Sequence, residues 1–182
     1  MIRYDCAVRA SILMAVSASI CLQILALPQA QSITDADAKV AAIMDDVLRR
    51  GEGHAEGQPD VKTHTWVPPS QEDIHRLREI GHDAIASLNR ALDPPYNRPF
   101  QRILAIRLLG KIGGVDVLPP LTKALKPNNP NSVRIAALAA LISVPKEQAL
   151  PILQQAVHDS DPVVARRAKE LLTGYYKIDV PE

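Results

Sequence analysis

Apolar residues recur along this chain with a long period from Ser70 onward. Ile74, Ile106 and Leu138 are 32 residues apart, as are Leu77, Leu109 and Leu141, and Ile80, Ile112 and Val144. Within each unit these positions fall at i, i+3 and i+6, so they share one face of a helix. A second series follows: Leu88, Leu121 and Leu153, then Ala91, Ala124 and Ala156, then Leu92, Leu125 and Val157, in steps of 33 and 32. The extra residue falls in the turn at Gly113 and Gly114. Two amphipathic helices per unit predict an α-solenoid, because neither helix can bury its apolar face alone and stacking makes the core continuous.

Polar residues and prolines punctuate this pattern where helices should begin. Ser70 with Asp73 forms a capping-box signal. Asn97 before Pro99, Asn131 beside Ser132, and Asp161 before Pro162 mark later starts. Pro119, Pro120 and Pro151 are expected early in second helices, where a missing N–H removes no interior hydrogen bond. The fifteen prolines, against eight glycines, therefore read as turn punctuation. Aromatic residues make up only 3% of the chain, which argues against a sandwich or barrel. Columns of alanine explain how a core forms without them, since small side chains let helices approach closely.

The first 32 residues follow another logic. Arg3 and Arg9 precede an uncharged stretch from Ala10 to Leu27, Pro28 ends it, and Ala30-Gln31-Ser32 fits a small-x-small cleavage site. This pattern predicts a secretory signal peptide over 1–32 and an exported protein, periplasmic or secreted; an uncleaved membrane anchor is the alternative. After cleavage no membrane span is expected. Cys6 and Cys21 both lie in this segment. The mature chain would then have no disulfide, thiol nucleophile or thiolate metal site.

An arm precedes the repeats. Thr34, with Ile33 before it and Asp37 as a capping-box partner, opens a helix over 33–50 whose Val40, Ile43, Met44, Val47 and Leu48 share a face. Gly51 is expected to supply a left-handed stop. Residues 51–69 show no periodicity and read as a Gly/Pro-rich linker. It holds His54 and His64, whose spacing fits no metal-ligand pattern, and Trp66, expected to pack over the edge of the domain that follows. The repeat domain spans 70–174, and 175–182 forms a tail.

Val133-Arg134-Ile135-Ala136-Ala137-Leu138-Ala139-Ala140-Leu141 followed by Ala149-Leu150-Pro151-Ile152-Leu153 resembles HEAT-like repeats, in the short form of the phycobilisome lyase HEAT-like family. The unit before it keeps Arg102, Ala105, Leu109-Gly110-Lys111-Ile112-Gly113 and Leu118-Pro119-Pro120-Leu121. Residues 71–98 are degenerate, and 162–174 keeps one helix with Val164, Ala168 and Leu172. The resemblance implies an all-α fold: a right-handed α-α superhelix, or solenoid, of about three HEAT-like repeats with an N-terminal helical arm. It says little about activity.

Second helices usually line the concave face of such arrays, so their exposed columns form the candidate binding strip. Aligning the units places Asn89, Thr122 and Gln154 in one column and Arg90, Lys123 and Gln155 in the next, with Asp93, Lys126 and His158 beyond. Residues 71–174 carry fourteen Lys/Arg and ten Asp/Glu, whereas 33–70 carry four and seven. The acidic arm could fold onto the basic repeats, or the strip could take an acidic protein or peptide. The excess is too small to favour nucleic acid. No nucleophile elbow, His-Glu-x-x-His or phosphate loop occurs. His75 and His82 read as solvated, and Asp159 and Asp161 as caps rather than an acid/base pair. Together these features describe an exported non-catalytic scaffold that binds protein or peptide, with no cofactor or metal and an undetermined oligomeric state. The alternatives are a lyase-like or chromophore-handling protein, as in the phycobilisome lyase class, and a structural subunit of an envelope assembly.

Overall fold

A computed structural model of the chain describes residues 34–55, 58–64, 66–93 and 98–180. The expected signal peptide and Asn97 lie outside these residues. The described elements are α1 (Asp35–Arg50), β1 (Glu52–Ala55), β2 (Gln58–His64), α2 (Gln71–Ile80), α3 (His82–Arg90), α4 (Pro99–Ile112), α5 (Leu118–Ala124), α6 (Asn131–Ala140), α7 (Lys146–Ala156) and α8 (Pro162–Gly174), with single 3-10 turns at Val115–Val117 and Leu141–Ser143.

The helices form an all-α solenoid. The first helices α2, α4, α6 and α8 stack on one another, and each second helix packs against the first helix of the following unit. The repeated apolar positions supply the core. Leu77, Leu109, Leu141, Leu88, Leu121 and Leu153 have no solvent exposure, and Ile74, Ile106 and Leu138 are buried beside them. Close approach of α4 and α6 depends on Gly110, where an added Cβ would lie 3.0 Å from the Cβ of Ala140. Gly110→Val should therefore cost about 1–3 kcal/mol through overpacking, read as a lowered thermal midpoint. Gly113 and Gly114 turn the chain with φ of 71° and 86°, and the Gly114 N–H donates to the Ser143 carbonyl of the next unit at 3.1 Å.

The arm is the first layer of the stack. Val40, Ile43, Met44 and Val47 are buried against α2 and α3. Thr34 and Asp37 make the expected capping box. Asp37 then reaches across to α3, accepting from Ser87 Oγ at 2.6 Å and from Arg90 Nη2 at 2.5 Å. At the other end Arg50 pairs with the buried Asp73, and Arg76 donates to Asp46 at 3.0 Å. Two arm carboxylates, Asp37 and Asp46, thus meet basic side chains of the first unit, and one arm cation, Arg50, meets a carboxylate of it. Burial pushes the Asp37 carboxyl up, but hydrogen bonds from Ser87, Arg90 and Thr34 outweigh it and hold it far below the ordinary range. A carboxylate so lowered adds stability above its unfolded value of about 4, and that stability is lost as pH falls through the lower folded value. The stability gap between the wild type and Asp37→Asn should be widest at neutral pH and close on acidification, in thermal unfolding across pH.

Four local expectations are corrected. The stretch read as an irregular linker contains an antiparallel β1–β2 hairpin, pairing Glu52 with His64 and His54 with Lys62. A two-stranded ribbon is too short to leave a clear alternation in the sequence. Gly51 closes α1 with φ of −89°, a right-handed conformation, so no left-handed stop is needed. Asn131 is not a cap: Pro130 holds that position, and Asn131 Nδ2 donates to Asp161 at 2.5 Å. Pro151 lies inside α7, because that helix begins earlier, after Pro145. Trp66 follows the hairpin and lies over α4, edge-to-face with Phe100 at 5.7 Å, and the Arg107 guanidinium sits 3.8 Å from its ring centre.

Candidate functional site

The six strip residues do not form one free surface. Arg90 is held by Asp37 and Ser87. Lys123 Nζ donates to Asp93 at 2.6 Å and lies 3.5 Å from the Asn89 side-chain oxygen. Asn89, Arg90 and Lys123 are thus engaged in ties within the array. Thr122 Oγ1 donates to the carbonyl of Leu118, a contact within its own helix. Gln154 and Gln155 are exposed on α7.

Two of the six, Thr122 and Gln155, wall a groove between α5 and α7. Its volume is about 570 Å³, and Leu125, Ile152, Ala156 and Val164 supply apolar walls. The second helices α5 and α7 are not directly stacked as the first helices are, and this separation opens the groove. Lys126 and His158, the third column of the sequence alignment, stand on its rim, both exposed.

Arg134 and Asp159 set the base of the groove. Arg134 projects from α6, is 3% exposed, donates Nε to the Leu125 carbonyl at 3.1 Å and pairs with Asp159 through Nη2. Asp159 also accepts from the Asp161 N–H at 2.8 Å. Asp161 caps α8, accepting from Val163 and Val164 at 2.9 and 3.1 Å. Backbone donation, chiefly from Val164, holds the Asp161 carboxyl below its ordinary value. Cap and ion pair therefore fix the turn between α7 and α8, and with it one wall of the groove. Arg134 and Asp159 cancel one another, and Asp161 adds one negative charge at the turn. Lys126 has no ionic partner among the described residues and gives the rim a positive charge, with His158 as a further polar group there.

Asp159, expected as a cap, does not cap α8, a role Asp161 fills, but is the ion-pair partner of Arg134; neither Arg134 nor Asp159 stands out in the sequence as part of a groove. The signal was the equivalence of Arg102 and Arg134, 32 residues apart. Arg102 makes a related tie, from Nη2 to the side chain of Asn129, which in turn donates to the Lys123 and Ala124 carbonyls. Arginines at equivalent positions of α4 and α6 thus tie down the turns that follow α5 and α7.

His75 lies 3.4 Å from Glu79 and His82 4.0 Å from Asp116, and all four side chains are exposed. The described residues contain no metal-ligand cluster, and no helix among them is long and apolar enough to cross a membrane. No curated protein and no solved structure matches the chain. A family model does: residues 96–173, the stretch from α4 through α8 that builds the groove, match HEAT repeats and are similar to that family.

Proposed function

We propose that this is an exported, non-catalytic binding module that holds an acidic, partly apolar segment of another protein between α5 and α7. The groove carries the reading: its apolar walls suit a hydrophobic anchor, and Lys126 and His158 above them suit a neighbouring carboxylate. The similarity of 96–173 to HEAT repeats supports it, since helical solenoids commonly offer extended surfaces to protein partners. The signal-like residues 1–32 support export.

Selection from a displayed random-peptide library tests the reading. Enriched sequences are expected to combine an Asp or Glu with a large apolar residue, and Lys126→Glu/His158→Glu should remove the enrichment. Selection that yields no such consensus, or is indifferent to that double substitution, would contradict it. Arg90→Glu/Lys123→Glu is a poorer probe, because it breaks the ties to Asp37 and Asp93 as well as altering the surface.

A further inference from the structure

Charge is unevenly distributed along the stack. Residues 34–97, which hold α1 to α3, carry seven Lys/Arg and twelve Asp/Glu, a net −5. Residues 98–182, which hold α4 to α8, carry twelve and seven, a net +5. Residues 34–182 together are neutral, yet the array has an acidic end and a basic end.

Both end helices keep a face open. On α8 the buried side is Val164, Ala168, Leu171 and Leu172, and the opposite stripe of Val163, Arg166, Glu170 and Gly174 is exposed. Val163 retains 40% of its surface. Glu170 is met by Arg167 at 3.0 Å and Arg166 at 3.9 Å, so this face keeps a net positive charge. On α1 the outward stripe is Ala38, Ala41, Ala42 and Asp45, all exposed. Beside it a recess of about 650 Å³ runs between α1 and the α2–α3 turn, with Ala42, Ile43 and Ile80 among its walls. Its cations are already matched: Lys39 pairs with Asp35 at 2.6 Å, and Arg76 with Asp46 at 3.0 Å. Asp83 has no ionic partner among the described residues, and Glu79 faces only the exposed His75.

The geometry points to head-to-tail self-association, in which the basic α8 face of one copy seats on the acidic α1 recess of a second. Small residues on α1 admit a helix closely, as Gly110 and Ala140 admit α4 to α6 within one chain. Val163 meets the alanine stripe, and Arg166 and Arg167 meet Glu79 and Asp83. Because the two surfaces differ, the contact is heterologous and repeats from copy to copy instead of closing on a dimer. The attraction is carried by exposed charges and weakens with salt.

Sedimentation velocity of the purified protein over a concentration series tests this. At about 0.02 M salt the mean mass should rise with concentration, and at about 0.5 M, where the Debye length is only a few ångströms, it should fall back to the monomer. Arg166→Glu/Arg167→Glu alone and Glu79→Lys/Asp83→Lys alone should each weaken association about tenfold or more. Mixing the two variants should restore it, since each reversed face then meets an opposite one, and recovery also shows that both variants are folded. A protein that stays monomeric at low salt would overturn the inference. So would association indifferent to salt or to both double substitutions, or variants that fail to rescue each other.

Discussion

Leu109→Asp is expected to abolish folding of the array. Leu109 has no solvent exposure and sits at the middle of the three equivalent leucines 77, 109 and 141, where α4 packs between its neighbours. Replacing it removes a buried side chain, worth about 2–5 kcal/mol, and adds a carboxyl with no partner. A domain of this size is stable by roughly 5–15 kcal/mol, so the combined loss rivals the total. Far-UV circular dichroism should show loss of helix and gel filtration an expanded chain. Leu109→Met, which conserves volume, should cost less than about 1.5 kcal/mol. If both variants fold alike, the continuous leucine column is not what holds the stack.

Arg134→Ala is the second large effect, at about 3–5 kcal/mol by denaturant unfolding. Its side chain is 4% exposed, and removing it leaves the Asp159 charge without its cation and the Leu125 carbonyl without the Arg134 donor. The cost lies mostly in the charge left behind, so adding Asp159→Ala should recover part of the loss, which a double-mutant cycle measures. Arg102→Ala should cost less, because Arg102 is only half-buried and its partner Asn129 is neutral. A small effect at 134 would mean that the turn after α7 is set by the Asp161 cap alone.

The repeat core was readable because its cause is local: a helix that buries one face must repeat apolar residues at helical spacing. The 32-residue columns accordingly mark buried residues such as Ile74, Leu109 and Leu153, whereas Ile80, Ile112, Leu125, Ala156 and Val157 near the helix ends are half-buried. The arm helix and its Thr34–Asp37 box were readable for the same reason. Long-range pairing was less accessible. Arg90 meets Asp37 across 53 positions, and Arg134 meets Asp159 across 25. Those partners depend on how layers rotate over one another, which no single segment encodes. This is why the aligned columns placed Arg90 and Lys123 on an open strip, whereas stacking ties them to Asp37 and Asp93. The hairpin escaped because four- and seven-residue strands carry too little pattern. Pro151 misled because a helix start was inferred from the proline, whereas α7 begins at Lys146.

Site-specific photo-crosslinking is the most direct test of the proposed groove. A photoreactive residue in place of Gln155, on the groove wall, is compared with one in place of Lys111, exposed on α4 and absent from the groove. In cells that produce the protein, position 155 should yield a discrete adduct with another polypeptide, and Lys126→Glu/His158→Glu should suppress it. Position 111 should yield none. Equal adducts from both positions, or none from 155, would contradict the account.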